Sequence, residues 1–257
     1  MSNITQAVWV EALKARRSRM PLLTALAICL IPLGGGFFMV VLKDPELARR
    51  VGLISAKARI MMGAADWPTY LGFLATAIAV GGTVFFSFIA SWVFGREYSD
   101  RTVKDLLALP TSRSAIVFAK LVVIALWSAA LSAVMYLVGL GVGAALALPP
   151  VPVQVILQGG VTVAVAACLE IALVTPIAFF AGAGHGYLPP LAVALLAMFL
   201  AQVIAMAGWP EYFPWSIPGV YSQGGHLGIV SYAIVILTSV AGIMGTFLWW
   251  ELADQTH

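Results

Sequence analysis

Charged residues are scarce in this sequence, at 10% of 257 residues, whereas 61% are hydrophobic. An ordinary soluble domain carries about 25% charged residues. Uncharged runs of 29 residues (Trp67–Gly95) and 49 residues (Leu121–Leu169) exceed the roughly 20 residues that cross a bilayer core. The composition therefore excludes an ordinary soluble protein and predicts an all-α integral membrane protein.

Residues that bind metals, cofactors or nucleotides are also scarce. Both cysteines, Cys29 and Cys168, lie inside apolar runs, which argues against a disulfide framework or a cysteine metal site. The sequence has no G-x-x-x-x-G-K-[ST] phosphate-binding loop, and no lysine follows Lys120. We therefore predict no metal, no cofactor and no ATPase activity in this chain. Nucleic acid is not an expected partner either, because the basic residues are divided among short segments between apolar runs.

Six apolar runs predict six transmembrane helices in a single transmembrane domain that covers residues 1–257. The predicted spans are approximately 21–42, 70–94, 116–146, 155–180, 187–207 and 228–250. Helices are expected because every backbone polar group must be satisfied inside lipid. Between spans 5 and 6, residues 208–226 contain three prolines and five aromatic residues. This composition predicts a broken interfacial or re-entrant element.

The orientation follows from the basic residues, all 14 of which lie at or before Lys120. With the N-terminus inside, nine Lys and Arg lie on the cytoplasmic side and five lie in the 43–69 loop outside. We therefore expect a multi-pass protein of the cell membrane with both termini in the cytoplasm. Residues 1–20 place Trp9 and Leu13 before a basic run, which predicts an amphipathic interfacial helix on the inner leaflet. A plain positive anchor is the alternative.

The densest charged stretch, residues 94–120, falls between spans 2 and 3 on the predicted cytoplasmic side. Thr102 and Asp105 fit a capping box, and Pro110 ends the helix that follows. The apolar stripe of this short helix consists of Val103, Leu106 and Leu107. A helix this short is marginal alone in water. Its stripe is expected either to lie on the lipid surface or its own bundle, or to dock into a cytoplasmic partner.

The stretch FGREYSDRTVKDLLALPTSRSAIVFAK resembles the signature region of the ABC-2 type family of ATP-binding-cassette transporter permeases. The positions that carry the resemblance are Gly95, Glu97, Thr102, Leu106, Leu107, Pro110, Ser112, Arg113 and Lys120. The resemblance implies a dimer with a second permease subunit. It also implies cytoplasmic ABC ATPase subunits that bind ATP and Mg and drive transport through a coupling helix between spans 2 and 3.

The resemblance also implies which residues transmit the motion of the ATPase. The ATPase-coupling candidates are Glu97, Arg101, Thr102, Val103, Lys104, Asp105, Leu106, Leu107, Pro110 and Arg113. Glu97 is expected to pair with Arg101 at i+4 or with Arg113 across the turn. The implied activity is ATP-driven export of a small hydrophobic or amphipathic compound, such as a drug, an antimicrobial peptide or a lipid-like molecule.

Glu170 is the one acidic residue within a predicted span. A carboxylate inside a membrane is costly, which makes Glu170 a candidate on the substrate path. The structural alternative is a neutral acid that is hydrogen-bonded between helices, near the carbonyl freed by Pro176. The alternative function is a secondary transporter, coupled to protons or ions at Glu170. An intramembrane enzyme built on Ser222–His226 is less favoured, because a third catalytic residue is missing.

Overall fold

The computed structural model describes residues 3–44, 64–100, 102, 111–184 and 186–252. In chain order, the α-helices are α1 (Asn3–Arg17), α2 (Met20–Lys43), α3 (Trp67–Ser99), α4 (Arg113–Ala145), α5 (Val153–Ala183), α6 (Leu188–Met206), α7 (Ile217–Ser222) and α8 (Ile229–Leu252). In the described ranges, six of them (α2, α3, α4, α5, α6 and α8) are long and apolar enough to cross a membrane. The predicted six spans and the all-α class are confirmed.

The helices α3 and α4 run beyond their predicted starts, because polar side chains cap them further out. Asp66 accepts a hydrogen bond from the Thr69 backbone N–H at 3.0 Å, and Ser112 accepts one from that of Ala115 at 3.3 Å. Each helix has 33 residues and is therefore about 50 Å long. That length exceeds the roughly 30 Å hydrocarbon core. Both helices can therefore project from the bilayer. We call the end of the bundle at which α3 ends and α4 begins the charged end.

The centre of the bundle is formed by α3 and α5, which pack against each other. Small residues bring the surrounding helices close to this pair. A side chain at Gly139 of α4 would overlap Leu74 of α3. A side chain at Gly242 of α8 would overlap the backbone of Pro176, the proline inside α5. Tyr70 of α3 donates to the Pro32 carbonyl of α2 at 2.9 Å.

The predicted broken element between spans 5 and 6 consists of two 3₁₀ turns, Pro210–Tyr212 and Pro214–Ser216, followed by α7. It folds back onto the bundle, since Ser222 Oγ at the end of α7 lies 3.3 Å from Thr76 Oγ1. Thr76 is about 14 Å along α3 from its start. The break in the backbone agrees with the prediction, whereas the depth of this segment in the bilayer stays a prediction.

The predicted coupling helix lies outside the described residues, apart from its first residue, Thr102. The Thr102 backbone N–H donates to the Glu97 carbonyl at 2.9 Å. This contact caps the C-terminal end of α3. Arg101, Val103, Lys104, Asp105, Leu106, Leu107 and Pro110 are among the residues that the structure does not describe.

The close approach of α8 to α5 gives a test of the packing. Gly242→Ala is expected to lower the free energy of unfolding by about 1–3 kcal/mol, because the new methyl group meets the rigid Pro176 backbone. Gly245→Ala, three residues along the same helix, is the matched control. Its methyl group would lie 3.5 Å from the nearest Phe179 ring atom, an ordinary contact. Thermal unfolding of both variants in detergent measures the difference, and equal midpoints would contradict this packing.

Candidate functional site

Four charged side chains from three helices meet at the charged end. The Lys120 Nζ of α4 lies 2.8 Å from Glu97 Oε1 of α3 and 3.3 Å from Glu11 Oε2 of α1. The Lys14 Nζ of α1 lies 2.6 Å from Glu11 Oε1 and 3.1 Å from Glu97 Oε1. Lys120 also donates to the Val93 carbonyl at 2.7 Å. We call Glu11, Lys14, Glu97 and Lys120 the ion cluster.

Three of the four members of the ion cluster are buried, and the cluster is electrically balanced. Lys120 is 0% exposed, Glu97 4% and Glu11 7%. Removing a charged group from water costs several kcal/mol per ion, so a buried charge is tolerated only with close partners. Two ammonium groups and two carboxylates supply those partners to one another. The Phe94 ring, 5.7 Å from the Lys120 Nζ, adds a cation–π contact. The cluster therefore binds α1, α3 and α4 together.

Lys14 is the partly exposed member of the cluster. Burial of Lys14 disfavours its charged form, but the Glu11 and Glu97 carboxylates outweigh this effect and raise the pKa of Lys14 above its ordinary value. A lysine with a raised pKa contributes stability that is fully present below its unfolded pKa and is lost only as pH rises through the folded value. The Lys14 ammonium is thus retained at physiological pH.

The partners of Glu97 differ from those expected from sequence spacing. Glu97 contacts Lys14 and Lys120, whereas Arg113 contacts another helix. The Arg113 guanidinium donates to the carbonyls of Trp250 at 3.1 Å and Glu251 at 3.4 Å. These carbonyls lie in the last turn of α8, where a cation is favoured by the helix dipole. The pairing of Glu97 with Arg113 is therefore wrong, and Arg101 lies outside the described residues.

Sequence reasoning singled out Glu97 and Lys120 but missed Glu11 and Lys14. Those two residues stand at i and i+3 on α1, a spacing that places them on the same face of a helix. This i, i+3 pair of opposite charges is the sequence feature that points to Glu11 and Lys14. The neighbouring basic run hides this signal, because a basic run indicates a membrane-surface role for the whole segment.

Glu170 lies in the middle of the bundle and is 1% exposed. Its Oε2 accepts a hydrogen bond from Thr83 Oγ1 of α3 at 2.9 Å, and its Oε1 has no partner in the structure. The carbonyl freed by Pro176 is that of Ala172, one helical turn earlier. It accepts a hydrogen bond from the Thr175 hydroxyl at 2.8 Å and none from Glu170. Glu170 thus pairs across to α3 and not with the backbone near Pro176. Its role on a substrate path stays a prediction.

In the described part of the chain, six helices long and apolar enough to cross a membrane, with a charged end that joins α1, α3 and α4, define a multi-pass membrane protein. Residues 7–201 match the family described as ABC-2 family transporter protein, and the chain belongs to that family. The chain is also similar to the bacitracin transport permease protein BCRB of Bacillus licheniformis. The two are 25% identical over 177 residues, which cover 67% of this chain and 85% of the relative. The family expected from the charged stretch is confirmed, and it is a family of membrane transporter subunits, not of ATPases.

The ion cluster is tested by a double-mutant cycle on Lys120 and Glu97. Lys120→Met is expected to reduce the free energy of unfolding by about 3–5 kcal/mol, because it leaves buried carboxylates with too little positive charge. The double variant Glu97→Gln with Lys120→Met should lose less free energy of unfolding than the two single variants together. The expected coupling energy is about 1–3 kcal/mol. Thermal and denaturant unfolding in detergent give both quantities.

The matched control for this cycle is Lys43→Met, at the far end of the bundle. Lys43 is exposed and donates to the carbonyls of Leu146 at 2.6 Å and Ala147 at 3.3 Å. Loss of the Lys43 ammonium group should lower the free energy of unfolding by about 1 kcal/mol or less, because water screens an exposed contact. Strictly additive effects of the Lys120 and Glu97 changes would show that the two side chains do not support each other.

Proposed function

We propose that this chain is the permease subunit of an ATP-driven exporter, coupled to a separate ABC ATPase subunit through residues 96–113. The supporting observation is the ion cluster, because Glu97 near the start of that segment and Lys120 beyond its end are joined by a Lys120 Nζ to Glu97 Oε1 contact of 2.8 Å. A partner that displaces the segment would therefore act on both α3 and α4 through the ion pair between Glu97 and Lys120. Membership of the ABC-2 family supports the same partner.

The contacts of the charged end suggest how such a displacement would be transmitted through the bundle. Glu11 and Lys14 connect the Glu97–Lys120 ion pair to α1, and Arg113 connects the start of α4 to the end of α8. Close to the end of α3, Ser91 Oγ donates to the Tyr187 carbonyl before α6 at 2.8 Å. Displacement of the 96–113 segment would then reach five helices without a change in their internal hydrogen bonds. We propose this as the route of coupling.

The proposed cargo is a small hydrophobic or amphipathic compound. The similar protein BCRB is named for bacitracin transport, and we propose on that ground that this chain also transports a compound across the membrane. We further propose a dimer with a second permease subunit, both termini in the cytoplasm, and ATP and Mg bound on the partner ATPase.

The two other candidate functions have less support. A secondary transporter would use Glu170 as its coupling site, but the ABC-2 family favours ATP as the energy source. An intramembrane enzyme would need an activated Ser222. The Ser222 hydroxyl donates to the Gly219 carbonyl at 2.9 Å, and its other described hydrogen-bond partner is the Thr76 hydroxyl. His226 is exposed in the segment that precedes α8. Neither arrangement supplies a general base.

The coupling proposal is tested at the apolar stripe of the 96–113 segment. Leu106→Asp together with Leu107→Asp is expected to weaken ATPase binding by more than about one-hundredfold, because each buried Leu contributes roughly 1.5–3 kcal/mol. Arg101→Ala and Lys104→Ala are the controls within the segment. Each should reduce binding by about fivefold or less, since exposed ion pairs contribute about 0–1 kcal/mol.

The measurement is co-purification of the ATPase subunit with each variant, alongside ATP hydrolysis by the isolated chain. The double Asp variant should insert into the membrane yet lose the ATPase, and the isolated chain should hydrolyse no ATP. Full ATPase binding by the double Asp variant would assign the stripe to the lipid surface. ATP turnover by the isolated chain would contradict the permease proposal itself.

A further inference from the structure

Three basic side chains at the junction of α1 and α2 lack the contacts that engage the other described cations. The engaged lysines and arginines of the described ranges are Lys14, Lys43, Arg96, Arg113 and Lys120. Arg16, Arg17 and Arg19 are exposed, and their side chains form no hydrogen bond or ion pair with any described residue. We call these three residues the arginine patch. The patch concentrates positive charge that no described residue neutralises.

A single serine fixes the backbone of this junction. The helix α1 ends at Arg17 and α2 begins at Met20, so two residues separate them. The Ser18 backbone N–H and hydroxyl both donate to the Ala15 carbonyl, at 3.0 Å and 2.8 Å. The Ser18 hydroxyl oxygen accepts a hydrogen bond from the Met20 backbone N–H at 3.3 Å. The three arginines are therefore held close together, and a bound anion would relieve the repulsion between their like charges.

Arg19 shares one helix face with exposed leucines of α2. The backbone of Arg19 is already helical, with φ −81° and ψ −7°. Leu22 and Leu26 follow at i+3 and i+7, a spacing that places them on the same face as Arg19. They are 63% and 59% exposed, and they lie within the helix that is long and apolar enough to cross a membrane. This face thus has a positive charge where the span begins and an apolar surface beyond it.

The position of Trp9 on α1 indicates the same level in the bilayer. Trp9 is 65% exposed and lies seven residues before Arg16, on the same face of α1. Tryptophan favours the headgroup level of a membrane. The headgroup layer is about 5–8 Å thick on each side of the hydrocarbon core, and Arg19 directly precedes the first residue of α2. The arginine patch is therefore expected at the depth of the lipid phosphate groups.

The chemistry of the patch favours a phosphate group with net negative charge. A guanidinium group is planar and presents paired N–H donors that match phosphate oxygens. In a zwitterionic lipid the headgroup ammonium balances the phosphate, whereas an anionic phospholipid brings an unbalanced negative charge to basic side chains. An acidic protein surface would also neutralise the arginines, but it would not cover Leu22 and Leu26 inside the bilayer. A phospholipid supplies both a headgroup for the patch and acyl chains for the leucines.

We propose that the arginine patch binds the headgroup phosphate of an anionic phospholipid, whose acyl chains lie against Leu22 and Leu26. This lipid site goes beyond the export function and does not depend on it. Arg16 and Arg17 follow Lys14 and the buried Ala15 on α1. A lipid bound at the patch therefore also holds the end of α1 that contributes to the ion cluster, and it stabilises α1 against α3 and α4.

The test measures lipid binding to the full-length chain in a neutral detergent, by native mass spectrometry during titration with phosphatidylglycerol. Phosphatidylcholine with the same acyl chains is the reference lipid. We expect the chain to bind phosphatidylglycerol more tightly, with about fivefold in affinity from each arginine. Arg16→Gln, Arg17→Gln and Arg19→Gln should each weaken phosphatidylglycerol binding by about that factor and leave phosphatidylcholine binding unchanged. High salt should reduce the preference, because it screens exposed charges.

Two variants serve as matched controls. Arg96→Gln removes a cation from the same end of the bundle, but Arg96 is paired with Asp100 at 3.4 Å and lies over the Trp92 ring at 5.2 Å. Its loss should leave the preference for phosphatidylglycerol unchanged. Replacement of all three patch arginines by lysine keeps the charge and should retain most of the preference. Replacement of all three by glutamine should abolish it.

Thermal unfolding in the same detergent separates lipid binding from folding. Without added lipid, the triple glutamine variant should unfold at the temperature of the unmodified chain, because the patch side chains contact no described residue. Phosphatidylglycerol should raise the unfolding midpoint of the unmodified chain, since a ligand that binds the folded state stabilises it. The midpoint of the triple glutamine variant should not respond to this lipid.

Equal affinity of the unmodified chain for the two lipids would overturn the proposal, as would an unchanged preference in the triple glutamine variant. If that variant lost the ATPase subunit but kept its preference for phosphatidylglycerol, the patch would belong to a protein partner and the lipid site would be refuted. The lipid measurements require neither ATP nor an ATPase subunit. Their failure would therefore leave the proposed permease function in place.

Discussion

The burial of the Lys120 ammonium group is the constraint on which the charged end depends. An uncompensated charge inside an apolar bundle is strongly destabilising. The surrounding helices are therefore arranged so that Glu97, Glu11 and the Val93 carbonyl all reach this one group. Lys14 then balances the second carboxylate. The position of α1 follows from this requirement, because its two cluster residues must reach α3 and α4 at the same time.

A related rule governs the ends of the spans, where cations from elsewhere in the chain meet helix C-termini. Arg113 reaches the last turn of α8, and Lys43 reaches the carbonyls that follow α4 at the opposite end. The last carbonyls of a helix lack intrahelical donors and carry partial negative charge. The second contact gives a structural role to Lys43, the last residue of α2 and the first of the basic residues predicted to lie outside. Basic residues of this chain thus contact the ends of neighbouring helices, in addition to the orienting role expected of them from the sequence.

The six spans, the all-α class and the family were all predictable from the sequence. They depend on local properties, namely the length of apolar runs, the need to satisfy the backbone in lipid, and a contiguous signature of about 27 residues. Helix ends were predicted less well, because α3 and α4 extend as far as their caps at Asp66 and Ser112 allow. The prolines of residues 208–226 predicted a broken backbone, which the two 3₁₀ turns and α7 bear out.

The sequence by itself determined that Glu97, Lys120 and Glu170 are unusual, since each is an ionisable group at or within an apolar run. Only the tertiary structure decided their partners. Glu97 and Lys14 are separated by 83 positions, and Glu170 and Thr83 by 87. Local spacing favoured neighbours such as Arg113 for Glu97, but a buried charge pairs with whichever opposite charge helix packing brings within reach. That packing depends on small residues such as Gly242 against Pro176, whose contact no periodic pattern in either helix reveals.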